Sequence, residues 1–318
     1  MIDKNLAIQT INLSKKFNQF SALDNLNIEV ESNTAYGFLG PNGSGKTTAI
    51  RLLAGLTRPS SGHSYVYGSE SFAENMNVRR MIGYLPDVPS FFNFMSGLQY
   101  LTFCGQVFGL DYKDSQKQAY ELLELTGMNE AMHRQAVKYS RGMKQRLGLA
   151  AALVGNPKVI FLDEPVSALD PIGRADILDI IKDLKNRTTV FLSTHILNDV
   201  ERVCDKVGIV NQGKLLVSQS ISSLKKEYSK SGFEIILKEE PSSVVQVIRS
   251  QKWCYEATYS SEGNGHYKLT VLVSDEEKAG KELQQIVAAH EYQLISFNSV
   301  SVSLEDVFIK LTGGKWYA

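Results

Sequence analysis

The sequence has few cysteines and no long apolar run. Its three cysteines, Cys104, Cys204 and Cys254, stand singly and form no CxxC pair. An odd, scattered set of this kind argues against a disulfide framework and against a zinc site, and it fits a reducing compartment. The most apolar stretch, LGLAAALVG at 147–155, is far too short to cross a bilayer. We therefore expect a soluble chain whose membrane role, if it has one, depends on another polypeptide.

Neither sign of charge is in excess. Lys plus Arg and Asp plus Glu each number 34, so the formal net charge is zero. Without a basic excess, electrostatics gives no reason to expect a nucleic-acid partner. The N-terminus, MIDKNLAIQTINL, lacks the basic-then-apolar pattern of a secretion signal. These absences predict a cytoplasmic protein.

Glycine is concentrated where the pattern changes from strand to helix. TAYGFL at 34–39 is typical of a buried strand, and the apolar residues of KTTAIRLLAGL at 46–56 recur at helical intervals. Between them, Gly40-x-x-x-x-Gly45-Lys46-Thr47 has the spacing of a P-loop, whose backbone N–H groups bind phosphate. The pattern predicts a nucleoside triphosphate site. Its residues are Gly40, Pro41, Asn42, Gly43, Ser44, Gly45, Lys46, Thr47 and Thr48.

Three side chains of this loop have predicted roles. Lys46 reaches the β- and γ-phosphates, and the hydroxyl of Thr47 ligates Mg²⁺. Thr48 is placed to hold an α-phosphate oxygen. A flexible glycine-rich turn that happens to precede a lysine is the alternative, and the flanking strand and helix argue against it.

A second apolar run, VIFL at 159–162, ends in two adjacent carboxylates. Asp163, at the strand end, is expected to hold Mg²⁺ through water, and Glu164 to act as general base toward an attacking water. An acidic pair on an exposed turn is the alternative. The apolar residues in front argue against an exposed turn, because they place the pair at the edge of a buried sheet.

Upstream, the run KYSRGMKQRLGLAAAL at 138–153 predicts a helix with Ser140 as its N-cap. The serine hydroxyl, Gly142 and the free N–H groups of the first turn predict a second anion site. Taken alone, the same pattern describes an ordinary capped helix.

Together these motifs resemble the ATP-binding cassette (ABC) ATPases over about the first 215 residues. In order, the chain has the P-loop, a signature motif YSRGM at 139–143, a Walker B strand ending in Asp163 and Glu164, a D-loop SALD at 167–170, and LSTH at 192–195. The resemblance implies an α/β P-loop NTPase fold, with a RecA-like core, a β-rich N-terminal part and a helical subdomain. It also implies ATP and Mg²⁺ as ligands.

The resemblance carries further site assignments. It implies a homodimer in which Ser140 and Gly142 of one copy contact the ATP held by the other, and Asp170 links the two sites. It implies that His195 faces the γ-phosphate and helps to position water, although a lone histidine at a strand end is often structural. Phe17 falls at the position of the aromatic residue that stacks on adenine, and a core role is the alternative.

Two departures from the family pattern bear on coupling. Asp87 stands where a glutamine that contacts metal or water is usual, and we expect it to ligate Mg²⁺ together with Thr47 and Asp163, although an acid cannot donate a hydrogen bond as an amide does. Arg141 and Met143 replace a glycine and a glutamine of the signature, while its serine and second glycine remain. IGYLPD, YSRGMKQRLGLA and the tail SLEDVFIKLTG at 303–313 resemble the ATP-binding subunits of ABC-2-type exporters.

The pattern predicts two domains. Residues 1–220 form the cassette, with the helical subdomain at about 89–156, and 221–318 form a small α+β accessory domain. The accessory domain shows no catalytic cluster, so a stabilising or dimer-contacting role is favoured over a regulatory ligand site.

Since the chain has no spanning segment, transport requires a permease in a separate chain, which would hold this subunit at the cytoplasmic face of the membrane. The expected docking surface lies near Asp87 and the aromatic residues Phe91, Phe92 and Phe94, which are alternatively core residues. An importer subunit, a soluble ABC ATPase acting on a non-transport partner and a weakly hydrolysing sensory module are alternative functions. The single cassette without a charged linker or coiled coil, and the presence of Glu164, argue against the last two.

Overall fold

A computed structural model describes residues 2–72, 76–167, 169–228, 232–263, 265–290, 292–300 and 304–312. Ala168 of the predicted D-loop, and Ser303 and Gly313 of the tail motif, lie outside the described residues. By internal contacts the chain divides into a first unit that includes Met1–Ile221 and a second unit, Ser222–Lys310. Within the described residues, no helix combines the length and the apolar character needed to cross a membrane.

An antiparallel sheet opens the first unit. Its strands are β1 (Leu6–Phe17), β2 (Phe20–Leu26), β3 (Glu29–Glu31), β5 (Ser61–Val66) and β6 (Ser69–Glu70). Their order is β2-β1-β5-β6, with β3 also paired to β1. This sheet confirms the β-rich N-terminal part expected from the resemblance.

A six-stranded, mainly parallel sheet forms the second layer, in the order β11-β10-β4-β9-β8-β7. The strands are β4 (Ala35–Leu39), β7 (Ile82–Leu85), β8 (Val159–Asp163), β9 (Thr189–Thr194), β10 (Lys206–Asn211) and β11 (Lys214–Ser220). Every residue of β4, β8 and β9 is buried, as expected for parallel strands covered on both faces. The carboxyl ends of these three strands therefore meet at one edge of the sheet.

Helix α1 (Lys46–Leu53) packs against strands of both sheets and joins them into one core. Its apolar residues Ala49, Ile50, Leu52 and Leu53 are buried, which confirms the helical spacing seen in the sequence. The core also includes Ile8, Leu13, Leu23, Phe38, Phe161 and Phe191. The P-loop is consequently fixed between two buried elements.

Helices dominate the middle of the first unit, and the helical subdomain at about 89–156 remains a prediction. They are α2 (Met76–Arg80), α3 (Gly97–Val107), α4 (Tyr112–Leu125) and α5 (Arg141–Ala152), and 3-10 turns occur at Asn129–Ala131 and Ala136–Lys138. Ser96 and Gln99 form a reciprocal capping box at the start of α3. Two more helices, α6 (Pro171–Leu184) and α7 (Leu197–Val203), follow β8 and β9.

The second unit is an α+β fold built on an antiparallel sheet of order β13-β14-β12-β15. Its strands are β12 (Gly232–Leu237), β13 (Cys254–Gly263), β14 (His266–Val273) and β15 (Leu294–Val300), and its helices are α8 (Ile221–Tyr228), α9 (Ser242–Arg249), α10 (Glu276–Ala289) and α11 (Leu304–Thr312). A separate apolar core lies inside it, around Ile235, Val244 and Leu269. The sequence pattern predicts strands at 233–239, 266–275 and 292–300, helices at 241–251 and 276–290 and a short helix in the tail, and the structure has an element at each of these places; α8 and β13 are not predicted.

Candidate active site

The P-loop connects β4 to α1, as predicted, and two of its glycines, Gly40 and Gly45, are required for space. Gly45 has φ 107° at the helix N-cap, and a Cβ there would lie 2.5 Å from the carbonyl oxygen of Ala22. At Gly40 a Cβ would lie 2.4 Å from the carbonyl oxygen of Val210. The first N–H groups of α1 have no intrahelical partner. The loop therefore brings unpaired donors to the positive end of a helix, where anions bind.

Ser44 carries an unsatisfied hydroxyl within this loop. The residue is buried, and its Oγ has no hydrogen-bond partner among the residues that the structure describes. A buried polar group without a partner is costly. A phosphate oxygen in the loop would accept from this hydroxyl, so the loop fits the ligand that its spacing predicts.

Lys46 is buried and folds back over the loop. Its Nζ donates to the carbonyl oxygens of Gly40, at 2.8 Å, and Pro41, at 3.3 Å, and lies 3.5 Å from Oε1 of Glu164. Burial lowers the pKa of Lys46, and the charge of Glu164 opposes that shift. The ammonium group is thus held beside the phosphate position and in contact with the predicted base.

Asp163 lies at the end of β8, where two hydroxyls fix its carboxylate. Thr47 Oγ1 donates to Asp163 Oδ1 at 3.1 Å, and Ser193 Oγ donates to the same oxygen at 2.7 Å. Asp163 is almost fully buried. Hydroxyl and carboxylate oxygens are the ligands that Mg²⁺ prefers, and Mg²⁺ needs few protein ligands when phosphates and waters supply the others. The donor set of Thr47 and Asp163 therefore fits the ion.

Glu164 and His195 meet at the ends of neighbouring strands. Oε2 of Glu164 lies 3.0 Å from Nδ1 of His195, and Glu164 adopts a left-handed backbone with φ 48°. Its N–H donates to the carbonyl oxygen of Ser193 at 3.1 Å. A non-glycine residue in this region costs about 1–3 kcal/mol and is common at functional sites. The strained turn directs the carboxylate toward both Lys46 and His195.

A cleft of about 340 Å³ is lined by Lys46, Thr47 and Glu164 from among these groups. Its lining consists of Phe20, Ala22, Asn42, Gly43, Gly45, Lys46, Thr47, Thr48, Asp87 and Glu164. Asp87 is exposed on this lining and accepts a hydrogen bond from Ser167 Oγ at 3.1 Å. The loop after β7 and the first residue of the D-loop are thus joined beside the phosphate position.

Phe17 does not belong to this lining, but it is not a core residue either. Half of Phe17 is exposed, and the ammonium of Lys15 lies 5.0 Å from its ring centroid. The core alternative is therefore wrong. Phe20, its cross-strand partner in the β1–β2 hairpin, lines the cleft and is more exposed still. Phe20 is an aromatic candidate that the sequence reasoning missed.

The predicted signature and D-loop residues do not line this cleft. Ser140 caps α5 by accepting from Met143 N at 3.2 Å, which confirms the predicted N-cap, and Gly142 lies in the first turn of that helix. Asp170 caps α6 by accepting from Gly173 N at 3.3 Å. The N-termini of α5 and α6 therefore lie outside the lining of the P-loop cleft.

Ser193 is the second residue that the sequence reasoning missed. It lies opposite Asp163 in the parallel pairing of β8 with β9. In the sequence, Ser193 is one residue of the predicted strand LSTH, and only the register of two neighbouring strands reveals its partner.

Of the described residues, no group of three or more His, Cys, Asp and Glu side chains is arranged to hold a metal ion.

Comparison with known proteins identifies the cassette. The family model described as ABC transporter matches residues 23–167. Solved structures share the fold and confirm the fold class. An ATP-binding subunit of an ABC transporter superposes with a TM-score of 0.64 at 24% identity, covering 70% of this chain and 93% of the other. A dimeric cassette bound to ADP and Pi has a TM-score of 0.63 at 22% identity, covering 67% and 98%.

Relatives extend the similarity to almost the whole chain. The ABC transporter ATP-binding protein YxlF of Bacillus subtilis, itself uncharacterised, is 36% identical over 94% of this chain and 97% of its own. The bacitracin transport ATP-binding protein BcrA of Bacillus licheniformis is 34% identical over 96% and 97%. The daunorubicin/doxorubicin resistance ATP-binding protein DrrA of Streptomyces peucetius is 31% identical over 96% and 92%. With its P-loop cleft and these relatives, the chain belongs to the ABC transporter family, as one of its ATP-binding subunits.

Proposed function

We propose that this subunit hydrolyses ATP at two sites, each shared between two copies of the chain, and thereby drives an ABC-2-type exporter permease in the cytoplasmic membrane. The observation that carries the shared site is the position of Ser140 outside the cleft that holds Lys46, Thr47 and Glu164. The relatives BcrA and DrrA, named for bacitracin transport and for drug resistance, support export. We infer that the permease is a separate chain, since these relatives are named as ATP-binding proteins of transport and resistance systems.

Expression in a drug-sensitive host tests the export proposal. The chain and its permease together are expected to raise resistance to bacitracin or daunorubicin, the compounds for which the relatives are named. The same pair carrying Lys46→Ala in this chain is the matched control, since it lacks the phosphate-binding lysine. Equal resistance with and without Lys46 would count against ATP-driven export of these compounds.

Nucleotide binding rearranges the groups already in contact. We infer that the phosphates occupy the P-loop, accept from Ser44, and attract Lys46 away from the Gly40 and Pro41 carbonyls. Thr47 and Asp163 would hold Mg²⁺, and the ion would screen the phosphate charge. Asp87 lies on the same lining and faces that position from the loop after β7.

Once Lys46 turns to the phosphates, the carboxylate of Glu164 loses one partner and retains His195. We infer that Glu164 accepts the proton of the attacking water, while His195 orients that carboxylate and faces the γ-phosphate. The geometry in support is the 3.0 Å contact between Oε2 of Glu164 and Nδ1 of His195. Catalysis then consists mainly of positioning and charge stabilisation.

The β1–β2 hairpin offers two aromatic rings for adenine, and their roles are separable. Phe17→Ala and Phe20→Ala are each expected to weaken ATP binding if the ring stacks on the base, by about 5- to 150-fold per stacked ring. Titration with ATP and with inorganic tripolyphosphate measures this, since tripolyphosphate has no base. An unchanged Kd for ATP in Phe17→Ala, with a weakened one in Phe20→Ala, would transfer the adenine role to Phe20.

An exposed aromatic patch, defined as Phe91, Phe92, Phe94, Tyr100 and Phe103, is the proposed permease-docking surface. The Phe92 ring lies within 6.3 Å of the rings of Phe94, Tyr100 and Phe103, and the exposed fractions of Phe92, Phe94 and Phe103 are 48%, 68% and 41%. The core alternative is therefore wrong for Phe92 and Phe94. Exposed apolar clusters of this kind are typical of protein interfaces.

Introducing charge into this patch is expected to uncouple docking from hydrolysis. The double variant Phe92→Asp/Phe94→Asp should keep its ATPase activity but lose retention on membranes that contain the permease, because docking would bury two carboxylates without partners. Tyr255→Asp, at an exposed aromatic in the second unit, is the matched control. If the double variant is retained as well as wild type, the patch is not the docking surface.

A further inference from the structure

A buried ion pair joins the helix that follows the D-loop to the helix that follows His195. Arg174 of α6 donates through Nε and Nη2 to Oδ1 of Asp199 in α7, at 2.9 and 2.5 Å. Asp199 is only 2% exposed, whereas about a third of the Arg174 side chain is exposed. The pair therefore fixes the separation and rotation of the two helices at their first turns.

Both partners lie close in sequence to a residue of the proposed site, Arg174 one helical turn after the N-cap Asp170 and Asp199 in the first turn of the helix that follows His195. Arg174 follows Asp170 by four positions, and its N–H donates to the Asp170 carbonyl oxygen at 2.8 Å. Asp199 follows His195 by four positions and interacts electrostatically with it. If α6 moves, Arg174 would pull Asp199 with it. The first turn of α7 would then move as well, and with it His195, which lies just before that helix.

The pair is poorly built for stability alone. The second carboxylate oxygen of Asp199 is buried and lacks a hydrogen-bond partner within the described part of the chain. Burial raises the pKa of Asp199, against the opposing effect of Arg174. A buried charge with incomplete hydrogen bonding gives little net stabilisation compared with apolar packing. The ion pair therefore serves to fix the position of α7 relative to α6 rather than to stabilise the fold.

A second pair between the same helices provides the contrast. Arg202 of α7 donates to both carboxylate oxygens of Asp179 in α6, at 2.8 and 2.9 Å. Both side chains are substantially exposed, 42% and 60%. This pair has the same residue types and joins the same two elements, but it lies further along both helices from Asp170 and His195.

We propose that Arg174 and Asp199 are positioning residues that hold His195 against Glu164 and make His195 move together with the D-loop helix. The inference rests on the proposed role of His195 in hydrolysis. It adds that the position of His195 depends not only on the strand before it but also on the ion pair, because Arg174 is attached to the D-loop through the first turn of α6.

Steady-state ATPase assays of the full chain test this. Asp199→Ala is expected to lower kcat by about 10- to 100-fold with KM for ATP nearly unchanged, because a misplaced group costs catalysis rather than binding. Asp199→Asn, which keeps an acceptor oxygen for Arg174, should recover most of kcat. Asp179→Ala, which breaks only the exposed pair, should behave as wild type. A wild-type kcat in Asp199→Ala would overturn the proposal.

A double-mutant comparison separates positioning from a general loss of structure. In a His195→Ala background, Asp199→Ala should lower kcat little further, since both changes remove the same contribution. If the two losses multiply, the pair does not act through His195 and the proposal fails. If His195→Ala alone leaves kcat unchanged, the proposed role of the histidine fails instead.

A further double variant tests whether a lowered kcat results from misfolding or from loss of the ion pair. Arg174→Met/Asp199→Leu replaces the ion pair by apolar side chains of similar size, which buried pairs generally tolerate. We expect it to melt at or above the wild-type temperature and still to show the lowered kcat. Wild-type kcat in this variant would show that any packed pair suffices, and the proposal that the ion pair positions His195 would be wrong.

Discussion

Glu164→Gln is expected to abolish steady-state ATP turnover while leaving ATP binding intact. Glutamine keeps the size of the side chain and an oxygen, but it cannot accept a proton from water at neutral pH. Loss of a general base costs about 10²–10⁴-fold in rate. The carboxylate is the group that contacts both Lys46 and His195, so its neutralisation also removes a charge next to the γ-phosphate position. Release of phosphate and equilibrium binding of ATP measure the two effects separately.

Dimerisation provides the second readout for the same variant. If ATP closes two copies around the nucleotide, Glu164→Gln should accumulate as a dimer with ATP, because hydrolysis no longer opens it. Light scattering with ATP and with ADP detects this. Glu121→Gln, at an exposed glutamate of α4, is the control and should match wild type in both assays. Undiminished turnover in Glu164→Gln would assign the base to another residue.

The parts of this site that the sequence predicts consist of residues that lie close together in the sequence, directly after a strand. Gly40, Gly45 and Lys46 follow one strand, and Asp163 and Glu164 follow another. Because parallel strands present their carboxyl ends at one edge, two strand ends and His195 after a third are expected to meet. The contact between Glu164 and His195 agrees with that rule. The roles assigned to these residues stay predictions until they are measured.

The parts that sequence reasoning missed depend on register or on distant contacts. Ser193 is recognisable only when the pairing of β9 with β8 sets it opposite Asp163. Phe20 lines the cleft, whereas Phe17, with which it pairs in the β1–β2 hairpin, does not. Arg174 and Asp199 lie on different helices, and no local pattern pairs them.

Strand β13 was missed for a different reason. In Cys254–Gly263 only Ala257 is buried, so the strand lacks the alternation that marks a half-buried strand. It is an edge strand of the second unit, held by backbone pairing to β14. Its neighbour β14, and β12 beyond it, each contribute alternate residues to a core, and their patterns were predictive.

Mixing two inactive variants tests whether each ATP site is shared. Lys46→Ala removes the phosphate-binding lysine. Ser140→Asp keeps a side chain that caps α5 well but places a carboxylate where the partner's phosphates are proposed to lie. Like charges at such a contact cost several kcal/mol, so we expect each variant alone to be at least about 100-fold less active than wild type.

An equal mixture of these two variants is expected to recover activity. In a dimer of one copy of each, one site combines both defects and the other combines an intact Lys46 with an intact Ser140. Random pairing across a two-fold interface gives about a quarter of the wild-type number of complete sites. Single-turnover formation of ADP with enzyme in excess detects such sites even when they occur singly.

The matched control mixes Lys46→Ala with Glu164→Gln. Lys46 and Glu164 contact each other within one copy, at 3.5 Å, so every mixed dimer has a defect in each of its two sites and no recovery is expected. The comparison isolates the position of Ser140, because both mixtures contain Lys46→Ala. If both mixtures stay inactive, Ser140 serves the nucleotide of its own copy and the shared-site proposal is wrong. If only the first recovers, the N-terminus of α5 acts across the dimer, which accounts for its place outside the P-loop cleft.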